Sequence, residues 1–507
     1  MSTLKRTAIW ITLLALVLKL SGFLRESIIA KQFGANEYTD GYLLAFSFIT
    51  LVLAMISGGF NNVFLPLYVQ HRKEDPEAAE RNANGIMNAT VAVFLIVTVV
   101  GYFFVPSFVP FIFGQMTPTT EKVAVEITQL FFLFMSAIAL NGILDSYLQG
   151  RRIFVPSQIS KILATLMGAV FALLFSDIWG IYSLAYGFVF GVVLGIVLMF
   201  FYLWKSGHHW SPTFAVEKEF RKTFLVLLIP SLLNSVIGQI NMFVNKMFAS
   251  GTIEGAVTYL NNASLLVSIP HTIYGTTIAA IIFTLLSEQV DNKEKFQQTF
   301  YMGMELSLVT LMPITVGLLL VGDAAISFVY ERGKFTAEDS YNTYIALLFY
   351  LPLIVTQGLQ YIVSKAMYAR GKTSIILRIS VTTIVLNALL NYLFVKPLGY
   401  PGLALSTSLV SLYYLTVSTI FVYKDFDRGE ARKLFALIVR VILPTLIMAI
   451  PLYLIKHFTP IEQWYSLVQL AILVPLGVIL YAAGTYLFNR PGFNRLLGLV
   501  KRKQKAV

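Results

Sequence analysis

The sequence contains no cysteine among its 507 residues, and only 13% of its residues are charged. Without cysteine the chain can form no disulfide, no thiol nucleophile and no cysteine-ligated metal site. It also lacks the Walker A, HExxH and GxSxG patterns, which argues against ATP-driven transport, zinc peptidase chemistry and serine hydrolase chemistry. We therefore expect a protein that is not an enzyme and that carries no cofactor.

Apolar residues dominate what is present. They make up 57% of the chain, and the mean hydropathy is +0.73. This composition, with long apolar stretches from end to end, predicts an all-α polytopic membrane protein. The chain begins like a signal peptide, but the helix pattern continues past Lys19 without a cleavage site, so we expect the first span to be retained. We predict 14 transmembrane helices, near residues 7–30, 41–69, 85–113, 124–149, 157–176, 180–204, 224–249, 256–287, 299–330, 340–368, 374–394, 399–423, 433–456 and 463–488.

The distribution of lysine and arginine predicts the orientation of these spans. The net charge is +12, but the basic residues lie in alternate loops rather than on one face, so we expect no nucleic-acid partner. The intervening loops are poor in basic residues: SDIWG and SGTIEG have none, and ERGKF at 331–335 is the exception. Basic loops stay on the cytoplasmic side of a membrane. We therefore expect a multi-pass protein of the cell membrane with both termini in the cytoplasm.

Two halves of the chain repeat weakly. KQFGANEYTDGYLLA, from Lys31, matches KMFASGTIEGAVTYL, from Lys246, and DSYLQGRRI, from Asp145, matches KAMYARGKT, from Lys365. The offsets are 215 and 220 residues, so the matches predict two six-helix lobes of the same orientation around a central cavity. Such repeats are typical of alternating-access transporters. The predicted domains are an N-lobe at 1–205, a cytoplasmic linker at 206–223, a C-lobe at 224–424, and two further helices with a basic tail at 425–507.

The first span contains charges in an unusual place. The apolar run before Lys19 is too short to cross a bilayer, so the span must include Lys19 and extend to Arg25. A lysine or arginine at the bilayer centre costs about 2.5–3.5 kcal/mol on insertion scales, and such residues usually face a wet cavity. One interpretation is a cationic lining for an anionic substrate. The other is an internal pair between Lys19 and Glu26, seven residues apart on one face, with Arg25 reaching an interface.

Other polar residues leave two interpretations open as well. Asp40 opens the second span and is either a helix cap or a substrate contact. Lys246 ends the seventh span and is either an interfacial anchor or a substrate contact. Asn61 follows Gly58 and Gly59, and we expect these residues to interrupt the second span and expose polar groups to a cavity.

Coupling to an ion or to the membrane potential would need a titratable or charged group inside the membrane. Glu26 and His271 are the candidates that we single out. His271 follows a proline, and a structural role explains it as well as a proton site does. The coupling ion is not indicated by the sequence.

Several motifs carry a resemblance to a known family. KLSGFLRESIIAKQFGANEYTDGYLLAF, GGFNNVFLPLY, ERGKFT, MYARGKT and KPLGYPGLALSTS resemble the MurJ/MviN lipid II flippases, a family of the multidrug/oligosaccharidyl-lipid/polysaccharide exporter superfamily. The resemblance covers nearly the whole chain. It implies a 14-helix transporter that moves the lipid-linked peptidoglycan precursor from the inner to the outer leaflet. It also implies a lipid-linked oligosaccharide substrate, contact with membrane lipids and with cell-wall synthesis machinery, and action as a monomer.

The resemblance also assigns roles to residues. Arg25 and Asp40 occupy positions of charged residues that are important in the family, and Lys19 takes the place of a second arginine. The second and eighth spans, TLVLAMIS and YLNNASLLVSIP, lack arginines that the family carries. A less cationic cavity leaves another lipid-linked polysaccharide unit open as cargo. A multidrug-type cation-coupled exporter and a non-transporting scaffold are the remaining alternatives.

Overall fold

The computed structural model describes residues 3–495, without the side chains of 3–12, 233–234, 236–238, 271–273 and 275–281. This part of the chain is mostly helical and contains no strand, which confirms the predicted all-α class. A short 3-10 helix, Pro460–Gln463, precedes the last helix. The α-helices are α1 (Thr3–Phe33), α2 (Glu37–Glu74), α3 (Pro76–Phe113), α4 (Pro118–Leu133), α5 (Met135–Gly150), α6 (Val155–Trp179), α7 (Tyr182–Lys205), α8 (Lys218–Ala249), α9 (Ala256–Glu288), α10 (Lys293–Tyr330), α11 (Ala337–Tyr350), α12 (Pro352–Ala369), α13 (Thr373–Leu398), α14 (Tyr400–Tyr423), α15 (Glu430–Phe458) and α16 (Ser466–Phe488).

The helices match the predicted spans, with two of the spans broken. α4 and α5 together cover the predicted span 124–149 and meet at a bend of 58°. α11 and α12 cover 340–368 and meet at Leu351, directly before Pro352, whose ring nitrogen carries no hydrogen to donate. By length and composition, ten helices of the described chain are long and apolar enough to cross a membrane, or up to eleven if the bent pair counts as one span.

The residues group into two compact units. Unit 1 comprises Met1–Thr258 with Gly333–Phe335, and unit 2 comprises Tyr259–Arg332 with Thr336–Val507. The core of unit 1 includes the rings of Phe64, Tyr68 and Tyr147. α8, which the sequence placed in the C-lobe, belongs to unit 1 and packs against α2. The lobe boundaries at 206–223 and 424 stay predictions.

The contact between α2 and α8 explains the paired glycines of the second span. α2 is an unbroken helix through Gly58 and Gly59, so the predicted interruption at this point is wrong. A Cβ at Gly58 would stand 2.2 Å from the Ser235 hydroxyl, and one at Gly59 would stand 2.5 Å from a methyl of Leu232. The glycines therefore allow a close approach of two helices rather than a bend.

α6 and α7 form the most extensive helix pair of unit 1, and glycine spacing explains it. Gly187, Gly191 and Gly195 recur every fourth residue along α7 and so lie on one face. A Cβ at Gly187 would stand 2.3 Å from the Met167 carbonyl oxygen, and one at Gly191 would stand 2.5 Å from that of Leu163. This small-residue stripe lets the two backbones touch, as in membrane helix dimers.

The segment 206–217 between α7 and α8 is not helical, and asparagine side chains of α3 hold it. Asn88 donates to the carbonyls of Ser211 and Thr213 at 2.7 and 2.8 Å, and the backbone N–H of Glu217 donates to Asn82 at 2.9 Å. The predicted linker is therefore a fixed part of unit 1.

Below this segment lies a charged cluster around Glu80. The Glu80 carboxylate pairs with Arg151 at 2.6 Å and accepts from the hydroxyls of Tyr68, at 2.5 Å, and Tyr147. His208, from the 206–217 segment, is buried with its Nδ1 at 3.4 Å from the same carboxylate. The cluster supplies hydrogen-bonding and ionic partners for charges that are largely removed from water.

Candidate functional site

The Arg25 guanidinium is the best-defined cationic group of α1. Its side chain is only 14% exposed, and it pairs with Glu26 through Nη2 at 2.5 Å and Nε at 3.1 Å. The guanidinium carbon also lies 4.4 Å from the centroid of the Phe46 ring on α2, within cation–π range. The planar guanidinium therefore has an ion pair at its edge and an aromatic ring at its face, an environment that suits arginine better than lysine.

Lys19 does not take part in this arrangement. Its side chain is exposed, and Glu26, which is 2% exposed, accepts from Arg25 instead. The alternative of an internal Lys19–Glu26 pair is therefore wrong in this structure. The reason is geometric: the long Arg25 side chain folds back to the adjacent carboxylate, whereas Lys19 lies two turns away. Lys31 is exposed near the end of the same helix.

Asp40 is buried and bonds to a residue distant in sequence. It is 4% exposed and accepts from the Thr258 backbone N–H at 3.0 Å and from the Thr258 hydroxyl at 2.7 Å. Asn36 is the N-cap of α2 and accepts from the N–H groups of Tyr38 and Thr39, so the interpretation of Asp40 as the cap of its own helix is wrong. Asp40 instead satisfies an N–H in the first turn of α9, where a helix leaves N–H groups without partners.

Lys246 on α8 completes a group of four charges in unit 1. Its ammonium lies 3.5 Å from the Leu43 carbonyl oxygen of α2, and the charged groups that act on it are Glu26, Arg25 and Asp40. The structure thus brings Arg25, Glu26, Asp40 and Lys246 into one region. The two cations and two carboxylates balance formally, and the ion pair among them joins Arg25 to Glu26.

Asn61 does not join this group. The Asn61 side-chain oxygen accepts from the Ser146 hydroxyl of α5 at 2.8 Å, so its hydrogen bond ties α2 to α5. The side chain of His271 lies outside the described residues. Among the described residues, no set of three or more histidine, aspartate and glutamate side chains could hold a metal ion.

A backbone contact that the sequence analysis did not find joins two of its motifs. The Lys334 N–H, in RGKF, donates to the Lys31 carbonyl, in KQFG, at 3.0 Å. Gly34 and Gly333 have φ of 75° and 64°, and a Cβ on either would stand within 3 Å of the other motif's backbone. The sequence does show a glycine in each motif, which permits a close backbone contact. A glycine alone does not indicate which segment of the chain makes that contact.

The helix content and the apolar helices long enough to cross a bilayer define a polytopic helical membrane protein by class. The family model described as lipid II flippase MurJ matches residues 29–475, which is most of the chain. The chain therefore belongs to the lipid II flippase MurJ family.

Curated relatives agree with this assignment. A protein named probable lipid II flippase MurJ from Buchnera aphidicola subsp. Acyrthosiphon pisum is 25% identical over 497 residues, which cover 96% of each chain. One of the same name from Rickettsia prowazekii is 24% identical over 502 residues, which cover 96% of this chain and 98% of that protein. The chain is thus similar to these relatives over nearly their full length.

Solved structures share the fold. A lipid II flippase MurJ in an inward closed conformation superposes with a TM-score of 0.81 at 23% identity, over 95% of this chain and 99% of that one. An inward-facing multidrug resistance transporter of the MATE family and MOP superfamily superposes with a TM-score of 0.70 at 15% identity, over 82% and 95% of the two chains. Because these sequence identities are below 25%, the superpositions show similarity of fold alone.

Proposed function

We propose that this protein is a flippase that moves lipid II, the lipid-linked peptidoglycan precursor, from the inner to the outer leaflet of the cell membrane. Family membership supports the substrate, and one observation in the structure supports the site: Arg25 lies in a long membrane helix, largely buried, with Glu26 and the Phe46 ring as its partners. A buried cation whose partner can be exchanged is suited to a pyrophosphate.

The proposed site consists of Arg25 and Lys246 as phosphate contacts, with Glu26 as the carboxylate that pairs with Arg25 between transport events. Asp40, which Thr258 holds, is the second carboxylate of the proposed site. Lys19, exposed on α1 two turns before Arg25, is the first cation that an entering head group meets. Asn61 stays a candidate substrate contact. Glu26 and His271 stay candidates for coupling.

We further propose fourteen transmembrane helices, with both termini in the cytoplasm. α4 with α5 and α11 with α12 then count as one span each. α1, α8 and α9, with 31, 32 and 33 residues, each exceed the roughly 20 residues that a bilayer requires. The alternation of basic loops supports the orientation. The internal repeat supports two six-helix lobes followed by two added helices, and alternating access as the mode of transport.

Transport of this kind needs an energy source and partners. Without a nucleotide motif we propose that the membrane potential or an ion gradient drives the cycle, with no cofactor. We also propose that the protein acts as a monomer in the plasma membrane and delivers its substrate to the cell-wall synthesis machinery.

The test is replacement of the lipid II flippase in a strain from which that flippase can be depleted. The readout is labelling of lipid II in the outer leaflet, with the membrane level of the protein measured in parallel. Restored growth and labelling support the proposal. Good expression without labelling contradicts it, and purified protein would then be assayed in vesicles with other polyprenyl-pyrophosphate-linked glycans and with cationic drugs.

A further inference from the structure

Unit 1 contains an apolar crevice that the proposed flippase site does not use. Its volume is about 400 Å³, which lies in the range of small-molecule sites. Side chains of α3, α5 and α7 line it together with side chains of the non-helical segment 206–217. Its lining includes Asn88, Ala92, Leu140, Phe200, Trp210 and Phe214.

The crevice offers a ligand little polar side-chain surface. Asn88 is the one amide among the described residues that line it, and none of them is charged. Its Nδ2 donates to the carbonyls of Ser211 and Thr213, and its Oδ1 accepts from the indole N–H of Trp210 at 3.0 Å. These bonds use both N–H donors of the amide and its oxygen within the protein. The part of a ligand that enters the crevice must therefore be apolar.

The surface around the crevice is of the kind that faces hydrocarbon. Leu95, which lines the crevice from α3, is 52% exposed. Ile96 beside it and Phe201 on α7 are 66% and 53% exposed. Both helices are long and apolar enough to cross a membrane, and large apolar side chains exposed along such helices face lipid chains. The molecules next to the opening are therefore membrane lipids.

The segment 206–217 is held in a way that suits the membrane boundary. Non-helical backbone near hydrocarbon needs partners for its N–H and C=O groups. Asn84 on α3 supplies two of them, because it donates to the His209 carbonyl and accepts from the Ser211 N–H, both at 3.3 Å. The segment also presents Trp210 and Phe214, which are 58% and 64% exposed. Exposed tryptophan is typical of the membrane–water interface.

Basic residues follow this segment directly. Lys218, Arg221 and Lys222 are exposed in the first turns of α8 and make no ion pair within the described chain. The one carboxylate among them is Glu219, which is exposed as well. Basic residues next to a membrane span attract anionic lipid head groups. The charge at the start of α8 therefore favours an anionic lipid over a zwitterionic one.

The distance between the crevice and these basic residues fits one lipid molecule. The Glu217 N–H, directly before α8, donates to Asn82 at 2.9 Å, whereas Asn88 lines the crevice. Six residues separate the two asparagines, which is about 9 Å along α3. Asn82 lies nearer the start of the helix and so farther from the hydrocarbon. The head-group region of one leaflet is about 5–8 Å thick, so a phosphate at α8 and a chain in the crevice can belong to one molecule.

We propose that the crevice binds one acyl chain of an anionic phospholipid, and that the phosphate of the same lipid contacts the basic residues at the start of α8. Under the topology proposed above, the lipid belongs to the cytoplasmic leaflet. Trp210 and Phe214 would then cover the upper part of the chain, and Phe200 and Leu140 would contact its lower part. The site shares no residue with the proposed transport site, so it does not depend on the transported substrate.

The experiment measures quenching of Trp210 fluorescence by phospholipids with brominated acyl chains. The full-length protein is reconstituted in phosphatidylcholine vesicles, and phenylalanine replaces the four other tryptophans, which are Trp10, Trp179, Trp204 and Trp464. Brominated phosphatidylglycerol or brominated phosphatidylcholine is added as a minor component of otherwise identical vesicles. We expect saturable quenching by phosphatidylglycerol, with an apparent affinity about fivefold or more above that of phosphatidylcholine. Fivefold corresponds to about 1 kcal/mol.

Two variants of this single-tryptophan protein test the two halves of the site. Ala92→Phe fills the crevice, and the triple variant Lys218→Gln, Arg221→Gln and Lys222→Gln removes the basic residues. We expect both to lose the preference for phosphatidylglycerol. The matched control removes the same charge from exposed basic residues near the junction of α14 and α15, and it should keep the preference: Lys424→Gln, Arg428→Gln and Arg432→Gln.

Equal quenching of Trp210 by the two lipids overturns the proposal. A preference that survives either variant, or that the matched control loses as well, also overturns it. Shielding of Trp210 from both lipids has the same consequence, because a second copy or another segment would then cover the crevice. A protein whose single tryptophan is Trp179, at the end of α6, should show no preference between the lipids. A preference there would mean that the protein attracts phosphatidylglycerol without a defined site.

Discussion

Thr258 donates both its backbone N–H and its hydroxyl to Asp40, a residue 218 positions earlier in the chain. The two bonds measure 3.0 and 2.7 Å, and both residues are buried. Thr258 is the third residue of α9, and a carboxylate at that position satisfies a free N–H and interacts favourably with the helix dipole. Asp40 thus connects the beginning of α9 to the beginning of α2.

Replacing Asp40 by Ala removes this fastening and leaves the Thr258 N–H and hydroxyl without a partner. We expect a loss of about 1–3 kcal/mol in stability, as for other unsatisfied buried groups, together with loss of flipping. The measurement is thermal unfolding in detergent and lipid II labelling in cells. Thr258→Ser keeps both donors and should behave as wild type, whereas Thr258→Val should reproduce part of the defect. A stable, active Asp40→Ala protein would show that the contact has no such role.

We expect every substitution of Arg25 to reduce the rate of flipping. Arg25→Lys keeps the charge, but it loses the second donor to Glu26 and the flat face over the Phe46 ring. We expect Arg25→Ala to abolish flipping and Arg25→Lys to reduce it strongly, with membrane levels unchanged. Lys31→Gln, on an exposed lysine of the same helix, is the matched control and should flip normally. Normal flipping by Arg25→Ala would remove Arg25 from the proposed site.

Lys19 allows a separate test of charge. Its side chain is exposed and makes no ion pair within the described residues, so we expect its role to depend on charge and not on a fixed partner. Lys19→Arg should therefore support growth of the depleted strain, and Lys19→Gln should slow lipid II labelling. Failure of Lys19→Arg at a normal membrane level would mean that the shape of the lysine matters.

The sequence predicted the helices well because their signal is local. Runs of about 20 apolar residues between basic loops predict a membrane helix without knowledge of its partners, and the bent pair α4 and α5 coincides with one such predicted run. The partners of the charged residues were not predictable in the same way. Asp40 bonds across 218 residues, and no local pattern encodes such a contact.

Glycines show where the signal was present but interpreted wrongly. We interpreted Gly58 and Gly59 as a break in the helix. Glycine can either interrupt a helix or permit close contact between two helices. Only the position of α8 shows that the second role applies here. The four-residue spacing of Gly187, Gly191 and Gly195 was visible in the sequence and predicts a helix contact, but not that the partner is α6.

The loop between α14 and α15 makes stability depend on pH. Asp425 accepts from Lys372 and pairs with Arg370 at 3.1 Å, and the hydrogen bond from Lys372 holds the pKa of Asp425 below its usual value. An aspartate whose pKa is lowered in the folded state stabilises the folded protein at pH values above its unfolded pKa of about 3.9. This stabilisation is lost as the pH falls through the pKa of the folded state.

Asp425→Asn should therefore melt at a slightly lower temperature than wild type at pH 7, and the two proteins should converge as the pH falls below about 4. The shift is small because the carboxylate is partly exposed. Asp291→Asn, at an exposed aspartate in the loop before α10, is the control, and we expect no pH-dependent difference between its melting temperature and that of wild type. A difference that persists at low pH would mean that the Asp425 charge is not its cause.

Gly191 tests the packing of α6 against α7. A Cβ at this position would stand 2.5 Å from the Leu163 carbonyl oxygen and 2.7 Å from the Ala164 Cα, both backbone atoms that cannot move aside by rotating a side chain. We expect Gly191→Ala to destabilise the protein by about 1–3 kcal/mol through overpacking. Gly317→Ala on α10, where nothing lies within 4 Å, is the control and should be neutral or up to about 1 kcal/mol stabilising because alanine favours helix. The measurement is thermal unfolding of both variants in the same detergent. Equal melting temperatures for Gly191→Ala and Gly317→Ala would show that α6 and α7 can move apart without a loss of stability.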